Sequence, residues 1–210
     1  MKEAKALIMV DLQNDFCRGG SLEVPDANAV IPHANELQNY FDEVIASKDW
    51  HPKDHMSFAS NHPGKKVNDI LEIDGIKQIL WPDHCVQNTK GADFHPDLFT
   101  QKISKIIYKG TDKHIDSYSA FFDNAHLRET DLKDYLHAKN IKKLYFMGLA
   151  TDYCVKYSCL DAVDLGFETY FIEDACRGVE LVFGDVALAI EAMKAKGVKV
   201  IRVQDVARDK

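Results

Sequence analysis

Short unbroken runs of Val, Ile, Leu and Tyr recur along this chain, separated by stretches whose apolar positions return every three or four residues. Unbroken runs are the mark of strands buried on both faces, and the intervening stretches read as amphipathic helices. Their alternation predicts βαβ units around a parallel sheet. Lys5 to Val10 is the first expected strand, followed by a helix over Ala27 to Tyr40. Asp26 is the expected N-cap of that helix, with Pro32 tolerated near its start. Strands are expected at Glu43 to Ser47 and Lys105 to Tyr108, then a helix at Asp131 to Ala138 and a strand at Leu144 to Met147. Cys154 to Leu165 reads as a helix stopped by Gly166, and Glu168 to Ile172 as the fifth strand. A helix over Val186 to Lys196, closed by Gly197, precedes a last strand at Val198 to Val203. The expected fold class is therefore α/β: residues 1–210 as one three-layer α/β/α domain with a mostly parallel sheet of about six strands.

One segment departs from this rhythm. Residues 50–104 show little periodicity and many His, Pro, Asp and Gly residues, and hold five of the nine histidines (His51, His55, His62, His84 and His95). So long a connection inside a compact domain is usually functional.

Strand ends then become the place to look, because open α/β sheets bind ligands beyond the carboxyl ends of their strands. The residues expected there are Asp11, Asp49 with His51, Lys109 and Cys154. Together they put an acid, a metal-binding pair, a cation and a thiol on one rim. Cys154 sits where a strand runs into a helix, and the unpaired amides and dipole of a helix start favour a thiolate. Lys109 as an ammonium would hold that thiolate. Asp11 could accept the thiol proton and later deliver it to a leaving amine, provided its surroundings raise its pKa. The backbone N–H groups of Ala150 and Cys154 are the candidate oxyanion donors. Singly these residues have plainer readings: a buried small hydrophobe for the cysteine (the reading given to Cys159 and Cys176), a turn cap for Asp11, a solvated loop residue for Lys109.

Asp49 and His51 are two apart, so an extended backbone points both side chains the same way. With His84 they supply one carboxylate and two imidazoles, a ligand set for Zn²⁺, Fe²⁺ or Mn²⁺ with open positions. His55 is a less settled addition, since Pro52 interrupts any helix that would align it with His51. Phe16, Trp81 and Tyr118 fall in polar loops, where aromatics either line a pocket for a flat ring or pin the loops as small cores.

Composition narrows the classes. A net charge of −7 removes the basic surface that non-specific nucleic-acid binding requires. No apolar run is long enough to span a bilayer and no secretory signal is evident, so a cytoplasmic protein without a membrane partner is expected. The five cysteines are odd in number and irregularly spaced, as suits a reducing compartment. Nothing in the composition chooses between a monomer and a homo-oligomer.

Six motifs carry a resemblance to a known family: Val10 to Phe16 (VDLQNDF), Lys48 to Pro52 (KDWHP), Trp81 to Cys85 (WPDHC), Gly91 to His95 (GADFH), Tyr108 to Thr111 (YKGT) and Gly148 to Val155 (GLATDYCV). In this order they resemble the nicotinamidases of the isochorismatase-like cysteine hydrolase superfamily, over nearly the whole chain. The resemblance implies hydrolysis of nicotinamide to nicotinic acid and ammonia in NAD salvage, with pyrazinamide as an accepted isostere. It makes Asp11, Lys109 and Cys154 the catalytic triad and Asp49, His51 and His84 the ligands of one divalent ion, Zn²⁺ first, with Fe²⁺ and Mn²⁺ as alternatives. It also implies a cis peptide at Leu149–Ala150 beside the oxyanion hole, a ring sandwiched by Phe16 and Trp81, and Tyr118 nearby. A sister amidase acting on a carbamoyl or ureido group would keep the triad without needing the metal set. A non-enzymatic zinc or interaction protein would leave Cys154 inert.

Overall fold

The computed structural model describes residues 4–73 and 75–208. Its first strand, β1 (Lys5–Val10), is buried along its whole length, as the unbroken apolar run requires. The chain then passes through α1 (Val30–Leu37), β2 (Glu43–Asp49), the hairpin β3 (Ile70–Ile73) and β4 (Ile76–Ile79), and β5 (Lys105–Lys109). It continues through α2 (Leu132–Ala138), β6 (Lys143–Leu149), α3 (Lys156–Asp164), β7 (Glu168–Arg177), α4 (Asp185–Lys196), β8 (Lys199–Ile201) and α5 (Val203–Arg208).

Six strands form one sheet in the order β5-β2-β1-β6-β7-β8, and every pairing in it is parallel. From β1 the chain moves outward through β2 to β5, then returns to add β6, β7 and β8 on the other side. Right-handed crossovers running in opposite directions put their helices on opposite faces. Accordingly α1 packs with α5, and α3 packs with α4. The expected three-layer α/β/α fold is the one observed. The order reverses between β1 and β6, and the crevice beyond their carboxyl ends is where such sheets bind ligands.

Three expectations are corrected. Asp26 does not cap a helix: it adopts a left-handed φ of 56° with no capping bond, and its carboxylate takes the Arg177 Nε–H at 3.0 Å instead. The segment it opens is a 3₁₀ turn (Ala27–Ala29), α1, and a second 3₁₀ turn (Gln38–Tyr40). The last strand is only Lys199–Ile201, because Val203 already starts α5. Finally, residues 50–104 contain the antiparallel hairpin β3–β4.

Candidate active site

Four strand ends deliver the chemistry. Asp11 follows β1 with a left-handed φ of 51°. Asp49 and Lys109 are the last residues of the paired strands β2 and β5, opposite each other in register. Beyond β6, the Leu149–Ala150 peptide is cis. A π-helical turn, Thr151–Val155, then leads into α3 and carries Cys154. The Ala150 carbonyl accepts the Tyr153 and Val155 amides, both at 3.1 Å, which fixes the start of that turn.

Lys109 is the hub. Its Nζ lies 2.7 Å from Asp11 Oδ2 and 3.3 Å from Cys154 Sγ, donates to Asp49 Oδ1, and donates to the Ser117 carbonyl at 3.1 Å. With its side chain fully buried, it is no solvated loop residue. Burial alone would depress its pKa, but Asp11 and Asp49 outweigh that and hold it well above the ordinary lysine value. The ammonium therefore persists. Asp49 is the complementary case: burial opposes its ionisation, yet Lys109 and the neighbouring histidines hold it well below the usual carboxylate range.

Asp11 goes the other way. Burial, with help from the Asp49 charge, raises its pKa against the pull of Lys109. Its Oδ1 accepts the Ser47 hydroxyl at 2.6 Å. Oδ2 is close to Lys109 but out of hydrogen-bond alignment, and so keeps acceptor capacity. An Asp11 carboxylate oxygen lies within 4.8 Å of Cys154 Sγ.

For Cys154, burial also raises the pKa, the Asp11 and Asp49 charges add to it, and Lys109 opposes them; the net position is well above the ordinary thiol value. The expectation that a helix start favours a resting thiolate is corrected accordingly. At 6 % exposure the helix end does not make up for lost water.

The Asp49, His51 and His84 donor atoms converge within 4.8 Å of one another. His51 Nε2 is 3.5 Å and His84 Nε2 is 3.6 Å from Asp49 Oδ2. The far nitrogen of each ring is committed to a backbone carbonyl: His51 Nδ1 to Gly110 at 2.9 Å and His84 Nδ1 to Pro82 at 2.8 Å. Those bonds fix the tautomers that turn the Nε2 lone pairs toward Asp49. His51 Nε2 is buried with no hydrogen-bond partner, which is costly unless a ligand completes it. This donor set fits a divalent cation. Gly110 is required by the same arrangement: a Cβ there would come within 2.3 Å of the His51 ring.

His55 is not brought to this carboxylate. It lies against His51 with ring centroids 4.2 Å apart and the rings tilted by 42°, its nitrogens facing Ser57 Oγ at 2.7 Å and the Ile115 carbonyl at 3.3 Å. Burial lowers its pKa to about 4. It groups with His51 and Asp116 instead. His62 turns to the Met56 carbonyl, and His95 to Asn28 and Asp97.

A pocket opens on the thiol. Phe16, Trp81, Tyr118, Ala150 and Cys154, all expected there, line it together with Asp49 and His84. Trp81 Nε1 donates to the Tyr118 hydroxyl at 3.2 Å. A roomier cavity lies between the hairpin and the segment around Asp123–Arg128 and shares Asp116 with this pocket. Sequence reasoning missed Leu22, Asp116, Tyr153 and Val179 in the pocket wall. It also missed Ser47 on Asp11, and Gln13, whose side chain clamps both the amide and the carbonyl of Asp49 at 2.8 Å. Tyr153 lies inside a quoted motif and was open to detection; Leu22 and Val179 are single apolar residues in loops and give no signal.

An isochorismatase domain model matches residues 5–205. The chain belongs to the isochorismatase family. It is 47% identical over 205 residues to the nicotinamidase of Escherichia coli (strain K12), covering 96% of each chain. Among solved structures, an Acinetobacter baumanii nicotinamidase–pyrazinamidase is similar with a TM-score of 0.95 and 45% identity, covering 98% of this chain and 99% of that one. A Pyrococcus horikoshii pyrazinamidase solved in complex with zinc is similar with a TM-score of 0.77 and 37% identity, over 94% and 98% of the two chains. This family member is thus a hydrolase of amide C–N bonds, and its Asp49–His51–His84 group could hold a divalent metal ion.

Proposed function

We propose that the protein is a nicotinamidase that hydrolyses nicotinamide to nicotinic acid and ammonia through a thioester on Cys154. The carrying observation is that one buried ammonium, Lys109, touches the acid, the thiol and the metal carboxylate, and the last two line an aromatic pocket. The identity to curated nicotinamidases over the full chain supports the substrate.

Phe16 and Trp81 would hold the flat pyridine ring, with Tyr118 beside them. A divalent cation held by Asp49, His51 and His84 would supply a Lewis-acidic anchor for the substrate, reducing the orientational part of the barrier. Zn²⁺ is the ion we favour, with Fe²⁺ or Mn²⁺ as alternatives. Asp11 takes the Cys154 proton as sulfur attacks the carboxamide carbon, and Lys109 balances the thiolate charge that develops. The amides of Ala150 and Cys154 receive the oxyanion. Asp11 then returns the proton to the departing nitrogen, releasing ammonia and leaving the thioester. Finally Asp11 draws a proton from water, whose hydroxyl adds to the acyl carbon; sulfur leaves, regaining its proton, and nicotinic acid forms. A raised pKa suits Asp11 to both directions of transfer.

Pyrazinamide, a near isostere, is expected to turn over too. Among the described residues no helix is long and apolar enough to cross a membrane, and all five cysteines are free thiols; we place the enzyme in the cytoplasm. The test is ammonia release from nicotinamide by zinc-loaded protein, before and after chelation, beside a panel of carbamoyl and ureido compounds. Metal-dependent release from nicotinamide is expected. Release only from the ureido panel would assign the sister activity.

A further inference from the structure

Asp152 lies in the first turn after β6, two residues before the nucleophile, and is 3% exposed. An acid in that position ordinarily serves the amides of its own helix start. This one reaches across to the loop between β7 and α4. Its Oδ1 accepts the Val179 amide at 2.9 Å and its Oδ2 the Glu180 amide at 2.7 Å. Both carboxylate oxygens are thus spent on consecutive amides of a segment distant in sequence.

The loop is shaped to receive it. Glu180 adopts a left-handed φ of 51°, turning the chain away just after the two amides that meet the carboxylate. Gly178 leaves room: a Cβ there would lie 2.2 Å from Val186 Cγ2 and 3.1 Å from Asp152 Oδ1. The loop is closed on itself beyond, with Gly184 N donating to Glu180 Oε1 at 2.8 Å and Val182 N to Asp185 Oδ2 at 2.9 Å. Val179 lines the same pocket as Cys154, Phe16 and Trp81.

We infer that Asp152 is a positioning residue that sets the substrate-facing wall of the pocket through Val179, fixing its distance from the nucleophile. The inference rests on the nicotinamidase reading for its choice of substrate. One rigid turn then carries both the attacking sulfur, at Cys154, and the anchor of the opposing wall, at Asp152. Asp152 does not touch the reacting atoms, so its loss is felt first in binding.

The test is a double-mutant cycle with D152N and V179A, measuring KM and kcat for nicotinamide and hydrogen exchange at the Val179 and Glu180 amides. D152N is expected to raise KM about tenfold, the scale of losing a charge-assisted hydrogen bond, with kcat changed much less. V179A should raise KM as well, and the double variant no further than the larger single effect. Exchange at the two amides, which needs no substrate, should speed up in D152N and not in V179A. Should D152N fail to fold, G178A crowds Val186 and the Asp152 carboxylate, displaces the same loop, and should give the same KM pattern. Additive effects, an unchanged KM in a folded D152N, or unchanged amide exchange would each overturn the inference. Faster exchange in D152N from a protein inactive on nicotinamide would keep the positioning role and reject the substrate instead.

Discussion

Lys109 is the residue on which the centre turns. Replacing it by Met leaves Asp11 and Asp49 facing each other without a cation, and unpaired buried charges typically cost about 3–5 kcal/mol. Denaturant unfolding should show that loss, with turnover falling as well; wild-type stability in K109M would contradict the charge arrangement. C154A exchanges one small side chain for another and should leave the fold intact. It should lower ammonia release by at least about a thousandfold, as for other nucleophile deletions. G110A pushes a Cβ into the His51 ring, displacing the carbonyl that fixes its tautomer. Disturbing such a partner costs about 10–100-fold in metal affinity, which zinc titration would show. At the level of single residues the convergence of Asp11, Asp49, Lys109 and Cys154 was legible, because each follows or ends a strand of the parallel sheet. His84 arrives from a loop and was reached through the DxH spacing and a distant histidine. The state of Cys154 was not: its pKa depends on burial and on two carboxylates that arrive from other strands.

Elements were legible wherever one interaction dominates. The run Lys5 to Val10 is buried on both faces and could only be a central strand. Asp26 misled because its carboxylate answers to Arg177, far along the chain, a partner that no local pattern reveals. The hairpin β3–β4 carries the signal Asp74-Gly75 between apolar residues, but its strands are short and Ile70 is 64% exposed, so the alternation is weak. At the far edge of the sheet, Glu168 accepts from Tyr170 Oη at 2.6 Å and from Lys199, tying β7 to β8. Lys199 first, then Tyr170, hold its pKa down to about 2, against an unfolded value of 4.5. A depressed carboxyl adds stability above the unfolded value and loses it as pH falls through the folded one. E168Q should therefore cost under about 1 kcal/mol near neutrality, given its exposure to solvent. The difference from wild type should shrink between about pH 4.5 and pH 2. A constant difference in melting temperature across that window would show that the ion pair is not the cause.

Across the whole molecule, the topology explains why residues from 11 to 154 meet. The strand order reverses between β1 and β6, so the ends of β5, β2, β1 and β6 lie side by side, and Lys109, Asp49, Asp11 and Cys154 form one row along them. Because the metal group joins β2 to the 50–104 segment, metal binding stabilises the folded chain by mass action. At a thousandfold excess over its dissociation constant a ligand adds about 4 kcal/mol. Chelation should lower the melting temperature of the wild type, and H51A should show no such shift; equal shifts in both would place the metal elsewhere. A covalent acyl-enzyme on Cys154 can be intercepted by hydroxylamine. Added during turnover of nicotinamide, it should divert the thioester to the hydroxamate at the expense of nicotinic acid, and C154A should form neither product. Ammonia release with nicotinic acid as the sole acyl product at every hydroxylamine concentration would contradict the thioester and point to direct attack by water.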